Sequence, residues 1–310
     1  MKSDQMPPSR LFVMLAREAP VGVIFRRGPS EWTQIIKWNT DSDTFEYGAW
    51  FHGKIYPERC DISPDGTKLI YFAANFTQAQ RNKDFPITWT AVSKLPWLTA
   101  LYVWPNSSGT YFGGGVFDTN TKIWVNQNMW ARNDLVAGFV LPEDMEISFE
   151  KQFWDHNWHD LFRLERNGWK PIEPYPWGSI PKFHLEQDYT VTVEPTDPNC
   201  PLHTPAYIRT AHEKPNTNGS HSLIMTSVYT HAGEDSRVFC LRDNHRHILT
   251  PIEGIVWADW DKRDRLVYAQ DGKVFTGDTG RSGKMHAKEL AEFNSSKPKR
   301  TISPAWAREW

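Results

Sequence analysis

Gly254-Ile255-Val256-Trp257-Ala258-Asp259-Trp260-Asp261, Arg265-Leu266-Val267-Tyr268-Ala269 and Lys273-Val274-Phe275-Thr276 follow one another, with Lys262-Arg263-Asp264 and Asp271-Gly272 between them. Beyond a Gly-rich loop, Lys288-Glu289-Leu290-Ala291-Glu292-Phe293 supplies a fourth run. Asp-Gly between alternating apolar residues is the strongest short-range hairpin signal, because a two-residue type I′ turn needs positive φ at both positions. The stretch predicts four short antiparallel strands in about forty residues, the size and make-up of one propeller blade.

The same organisation is legible at the other end of the chain. Arg10 to Arg17 and Val21 to Arg27 are strand-like, with Pro20 between them. Trp32 to Trp38 alternates, placing Trp32, Gln34, Ile36 and Trp38 on one face and Thr33, Ile35 and Lys37 on the other. Asn39 to Asp43 has turn composition, and Thr44 to Phe51 returns as a strand.

Next comes Cys60-Asp61-Ile62-Ser63-Pro64-Asp65-Gly66-Thr67-Lys68-Leu69-Ile70-Tyr71-Phe72. Pro64 sets φ at the first corner of a turn, Gly66 allows positive φ at the last, and Asp65 can bond amides within it. Ser-Pro-Asp-Gly-x-x-Leu between apolar strands resembles the repeat of TolB-type and WD40-like propellers. In that family the innermost strand ends in Ser-Pro and Asp-Gly turns the chain into the second strand. Trp257-Ala258-Asp259-Trp260-Asp261, leading into Arg265-Leu266-Val267-Tyr268, looks like a degenerate copy without the Ser-Pro. The resemblance covers about a third of the chain and implies an all-β propeller. The tail, with Trp257-Ala258-Asp259-Trp260-Asp261 and Pro304-Ala305-Trp306-Ala307, also resembles a group of bacterial hypothetical proteins, which implies no activity.

We therefore expect one domain spanning residues 1–310, an all-β propeller. At roughly 40 to 60 residues per blade, five blades fit best and six is the alternative. Ile302 to Ala307 falls where another inner strand would begin, with no blade after it. Pairing with the N-terminal strands would close the ring and remove exposed edges. Residues 75–98 read as a long loop insertion, the kind that carries function in a compact domain. Gly113-Gly114-Gly115 lacks the Lys-Ser/Thr of a phosphate loop and suits a bulge or a close strand approach. Leu161 to Glu165, Arg166-Asn167-Gly168 and Trp169 to Ile172 read as a further hairpin, here with an Asn-Gly turn.

Composition bounds the function. Hydrophobic residues make up 39% of 310 residues and the net charge is −2. Mean hydropathy is −0.59 and the pI about 6.6. No run approaches the roughly 20 apolar residues of a spanning helix, and Met1 to Arg10 lacks signal-peptide character. No basic footprint marks a nucleic-acid binder, and Lys297, Lys299 and Arg300 read as a solvated loop. Three cysteines, Cys60, Cys200 and Cys240, have no CxxC spacing and read as reduced thiols, the first and last buried in strands. The expectation is a cytoplasmic monomer without cofactors that engages neither nucleic acid nor membrane. Sixteen tryptophans suit packing between sheets better than a stacking platform for a ligand.

Candidate sites are sparse. Phe153-Trp154-Asp155-His156-Asn157-Trp158-His159-Asp160 is the densest polar-aromatic cluster. His156 and His159 would ligate a metal only on a helix with a third ligand, so a surface loop with Trp154 and Trp158 packed inward is preferred. His245 and His247 read as a solvated turn, and Asp259, Asp261 and Asp264 as a β-turn rather than a calcium loop. The leading reading is a non-catalytic scaffold for a protein or peptide partner, contacted through Arg81, Trp89, Trp97, Trp154, His156, Trp158 and His159. The alternative is a carbohydrate-binding or glycoside-acting propeller, in which Asp61, Asp259 and Glu146 from separate strands converge about 5–10 Å apart. Neither a Gly-x-Ser-x-Gly elbow nor a dinucleotide fingerprint is present.

Overall fold

A computed structural model describes residues 7–28, 31–107, 109–127, 138–149, 158–173, 207–229, 235–279 and 285–310. The chain is all-β, and these residues form five sheets, each contributed by one contiguous stretch apart from helical interruptions. The first runs β1 (Arg10–Leu15), β2 (Val21–Arg27), β3 (Trp32–Asn39) and β4 (Thr44–His52). The second contains β5 (Lys54–Ile55), β6 (Asp61–Ile62), β7 (Lys68–Ala74), β8 (Thr88–Lys94) and β9 (Ala100–Asn106), with β5 and β6 both on β7. The third holds β10 (Gly115–Phe117), β11 (Lys122–Val125) and β12 (Glu146–Phe149), the last parallel to β11. The fourth runs β13 (Lys170–Glu173), β14 (Tyr207–Pro215), β15 (His221–Tyr229), β16 (Asp235–Asp243) and β17 (Ile248–Ile252). The fifth is the meander of the opening stretch: β18 (Trp257–Trp260), β19 (Leu266–Gln270), β20 (Lys273–Thr279) and β21 (Met285–Glu292). Asp271 and Gly272 have φ of 50° and 74°, as a type I′ turn demands.

Period-two alternation explains how the sheets stack. In β2, Val23 and Phe25 face the second sheet, packing with Leu69, Tyr71 and Ala91. Ile24 turns the other way, to Val267, Ala269 and Val274 of the fifth sheet. In β7, Ile70 turns away from that first contact to meet Phe117, Ile123 and Val125 of the third. In β19, Leu266 and Tyr268 face Leu223, Met225 and Phe239 of the fourth. Strands buried on both faces need near-continuous apolar sequence. Neighbouring sheets therefore follow the order fourth, fifth, first, second, third.

The hairpin turns repeat that order. Glu18 N donates to Pro64 O at 2.9 Å, joining the first and second sheets. Asp65 N donates to Asn120 Oδ1 at 2.9 Å, joining the second and third. Thr217 N donates to Asp264 Oδ1 at 2.7 Å, joining the fourth and fifth. Lys262 Nζ donates to Arg17 O, joining the fifth and first. The Ser63–Gly66 turn is self-bonded: Ser63 Oγ donates to Asp65 Oδ1 at 2.5 Å and accepts from Lys68 N at 2.9 Å. In the degenerate copy Asp261 Oδ1 does the same work, accepting from Arg263 N and Arg265 N, both at 2.9 Å.

Three expectations need correction. Leu161 to Ile172 is not a hairpin: Trp158–Arg166 is a helix, α2, and Asn167-Gly168 stops it. Gly168 has φ of 88° and Trp169 N donates back to Leu164 O at 2.9 Å, so Asn-Gly here is a helix C-terminus. Residues 75–98 are not all loop, because Thr88–Lys94 is the buried strand β8; the irregular parts are residues 75–87, which contain a one-turn helix, α1 (Gln78–Arg81), and residues 95–98. Ile302 to Ala307 joins no sheet: Ala305–Ala307 is a 3₁₀ turn. Pro304 has no N–H for a ladder, and Ser303 O is taken by Arg308 Nε at 3.0 Å and Nη2 at 2.7 Å. The tail instead reaches the second sheet, where Lys94 Nζ donates to Trp306 O at 3.0 Å.

Candidate functional site

Helix α2 sits where the sheets converge. Its Arg163 donates to Cys60 O and, at 3.2 Å, to Pro57 O beside the second sheet. Arg166 closes on Asp61 of β6 and also donates to Phe117 O of the third sheet. Asp160 accepts from Arg163 Nη2 at 2.7 Å and from Arg237 of the fourth sheet. The guanidiniums of Arg163 and Arg237 lie 5.8 and 5.9 Å from the ring of Phe12 in the first sheet. Leu164 packs into the cluster holding Ala258 of the fifth. One short helix thus touches all five sheets.

The glycine run makes room for this. A Cβ on Gly113 would lie 2.2 Å from Phe72, and one on Gly114 would lie 2.4 Å from Arg59 O. Only glycine lets the third sheet approach the second so closely.

Electrostatics keep the centre fixed. Burial pushes the Asp160 carboxyl up, but Arg237 and Arg163 outweigh it and hold the pKa below the ordinary carboxylate value. His159 is fully buried, and burial with the charges of Arg163 and Arg59 drives its pKa well below 6.5. Burial also lowers His212, against the opposing pull of Asp160 and Glu165. Between α2, β1, β16 and β18 a cavity of about 40 Å³ remains, lined by Phe12, Asp160, Arg163, Arg237 and Asp259. That is room for about two or three waters. Among the described residues no group of His, Cys, Asp and Glu is arranged to hold a metal.

The three carboxylates of the glycoside reading have separate partners. Asp61 is 1% exposed and paired to Arg166. Asp259 pairs with Lys214 Nζ at 2.5 Å. Glu146 has a side chain 65% exposed on β12, 3.5 Å from Lys122 Nζ. The described cavity is lined by Asp259 and by neither of the others.

The expected partner residues scatter. Arg81 is exposed on α1, with Nε donating to Phe76 O at 3.3 Å. Trp89 packs edge-on to Phe51 and Phe85, at 5.9 and 5.7 Å. Trp97 follows the opposite end of β8, where its N donates to Lys94 O. His159 is inside α2. Trp154 and His156 lie outside the described residues, as does the side chain of Trp158. Sequence reasoning missed Arg163, Arg166 and Arg237. The i, i+3 spacing of Asp160, Arg163 and Arg166 was the available signal.

Among the described residues no helix is long and apolar enough to cross a membrane. No protein-family model and no curated protein matches the chain. Among solved structures it is similar to the β-propeller domain of the Trilobed protease from Pyrococcus furiosus, described as having an open velcro topology. The TM-score is 0.32 at 10% identity, covering 91% of this chain and 83% of that one.

Proposed function

We propose that the chain is a five-bladed propeller of the TolB or WD40 type and acts as a non-catalytic scaffold for a protein or peptide partner. Five sheets stacked in one neighbour order support the blade count. The Ser63–Gly66 turn and its degenerate copy at Asp261 support the subclass.

The observation that carries the scaffold reading is where apolar surface is spent. The centre, where a propeller enzyme would hold substrate, is filled by α2 and its ion pairs. Two of the four exposed aromatics among the described residues lie at one end of the second sheet, Phe76 at 45% exposed and Tyr111 at 72%; Tyr47 on β4 and Trp306 in the tail are the others. Their loops are tied together, since Thr88 Oγ1 donates to Gly109 O at 2.8 Å and Asn75 N donates to Ile87 O at 2.8 Å. Arg81 stands on the same loop as Phe76. Exposed aromatics beside an arginine are the composition of an interface anchor.

The test is to replace residues 78–84 with a short Gly-Ser turn, leaving Phe85 on Trp89, and separately to make Phe76→Ala with Tyr111→Ala. Both variants keep the wild-type circular dichroism and melting profile and lose partners recovered by crosslinking in cells. An unchanged partner list in a folded variant removes the reading.

A further inference from the structure

A second feature of the same end of the molecule does not depend on the partner reading. In the β1–β2 ladder Arg10 lies directly opposite Arg27. Like charges facing each other across strands are destabilising, and sheets normally avoid them. Lys54 and Arg59 of the second sheet add to the group: the charges of Arg10, Arg27 and Arg59 all act on Lys54. Only the exposed Glu58 opposes them there. Among the described residues no carboxylate forms an ion pair with any of the four cations.

The group is held in place. Arg59 Nη1 donates to Thr110 O at 2.6 Å and its guanidinium lies 5.4 Å from the Phe72 ring. Lys54 Nζ stands 4.4 Å over Tyr56, which packs on Phe72 at 5.1 Å. Among the described residues, Arg27 Nε is buried without a hydrogen-bond partner. An orphaned guanidinium donor amid crowded like charges is a cost that an anionic acceptor relieves, the more so the more negative charge and acceptor oxygens it brings. Carboxylate brings one charge, whereas phosphate brings nearly two and several acceptor oxygens. Arginine forks match that geometry.

We propose that Arg10, Arg27, Lys54 and Arg59 form a binding site for a phosphate-bearing ligand at the edge between the first and second sheets. Arg27 and Lys54 contact the oxyanion, and Arg59 and Arg10 supply field.

The test is calorimetric titration of the full chain with inorganic pyrophosphate at fixed ionic strength. The variants are Arg27→Gln, Lys54→Gln and, as a control, Lys262→Gln, an exposed lysine whose Nζ meets Arg17 O beyond the opposite end of β1 from Arg10. Pyrophosphate binds the wild type and raises its melting temperature. Arg27→Gln and Lys54→Gln each weaken binding by about tenfold or more, and Lys262→Gln leaves it unchanged. Removing a charge from the cluster leaves both variants at least as thermostable as wild type without ligand, so lost binding is not lost folding. The proposal is overturned if pyrophosphate gives no heat, if Arg27→Gln binds as well as wild type, or if a hexaglutamate peptide binds as tightly.

Discussion

Arg166 grips Asp61 in a two-pronged pair, Nη1 to Oδ2 at 2.7 Å and Nη2 to Oδ1 at 3.0 Å, across 105 residues of sequence. Phe117 N donates to the same Oδ2 at 2.7 Å, so the carboxylate joins the second sheet, the third sheet and the central helix. Removing one partner of a buried pair strands the other charge and costs about 3–5 kcal/mol. Arg166→Met is therefore expected to lower urea-derived stability by that amount. Adding Asp61→Asn to Arg166→Met recovers part of the loss, since the stranded charge goes while the amide oxygen still accepts from Phe117 N. A double variant as damaged as the sum of the singles would show that the two residues act independently.

Gly66 tests the turn that organises the second sheet. Its φ is 71° and a Cβ would lie 2.6 Å from Val21. Gly66→Ala therefore combines left-handed strain with a clash against the first sheet. Gly28 has φ of 92° with nothing within 4 Å of its added Cβ. Gly28→Ala isolates the backbone term, about 1 kcal/mol. Gly66→Ala is expected to cost clearly more by equilibrium unfolding; equal losses would mean Val21 moves aside freely.

The meander was legible because its signals are local. Asp271-Gly272 dictates its own turn, and Ser63-Pro64-Asp65-Gly66 bonds mainly to itself. The centre was not legible in the same way. Arg166-Asn167-Gly168 carries a left-handed glycine that serves a hairpin and a helix stop equally well. What decides between them is Leu161 and Leu164 at helical spacing, with Leu164 packed against the fourth and fifth sheets. Nor does sequence pair Arg163 with Cys60, or Asp160 with Arg237, because those partners meet only after the sheets have stacked. The tail was misread for a related reason. Ser303-Pro304 looks like the end of an inner strand, as Ser63-Pro64 is, but Ser303 O is taken by Arg308 and the chain goes straight into the 3₁₀ turn at Ala305, contacts that no local motif announces.

Acid should weaken the fold in two stages. His159 and His212 are held neutral in the folded chain, their pKa values depressed chiefly by burial. Below about pH 6.5 the unfolded chain binds protons that the folded chain refuses, so stability present above that pH is lost as pH falls. Each such histidine contributes a slope of about 1.4 kcal/mol per pH unit until its folded form protonates. A second loss follows below about pH 4, where the depressed carboxyls of Asp160 and Asp43 take up protons. Unfolding free energies of wild type and His212→Gln measured from pH 8 to 4.5 check this. The variant is expected to show a shallower fall between pH 6.5 and 5. Parallel curves would place the histidine in contact with water.

Arg265 joins the first and fifth sheets, the neighbours that bring the two ends of the sequence together. Its Nη1 and Nη2 bond the Asp43 carboxylate at 2.8 and 2.9 Å, Nη2 reaches Thr40 O at 2.6 Å, and Nε holds Asp261 at 2.8 Å. The hydrogen bond to Arg265 is the main reason the Asp43 pKa is low, although burial opposes it. A single ammonium cannot occupy both carboxylates in this forked geometry. Arg265→Lys is therefore expected to lose most of the benefit despite keeping the charge. Asp43 has φ of 52°, a conformation asparagine also tolerates, so Asp43→Asn tests the charge without disturbing the turn. A double-mutant cycle of Arg265→Lys with Asp43→Asn is expected to give a coupling of about 1–2 kcal/mol. The coupling should shrink only modestly between low and physiological salt, because the pair is largely shielded from solvent. A coupling near zero would mean that apolar contacts, chiefly Trp38 and Ile24 against Val267 and Phe293, hold these two sheets together without the clasp.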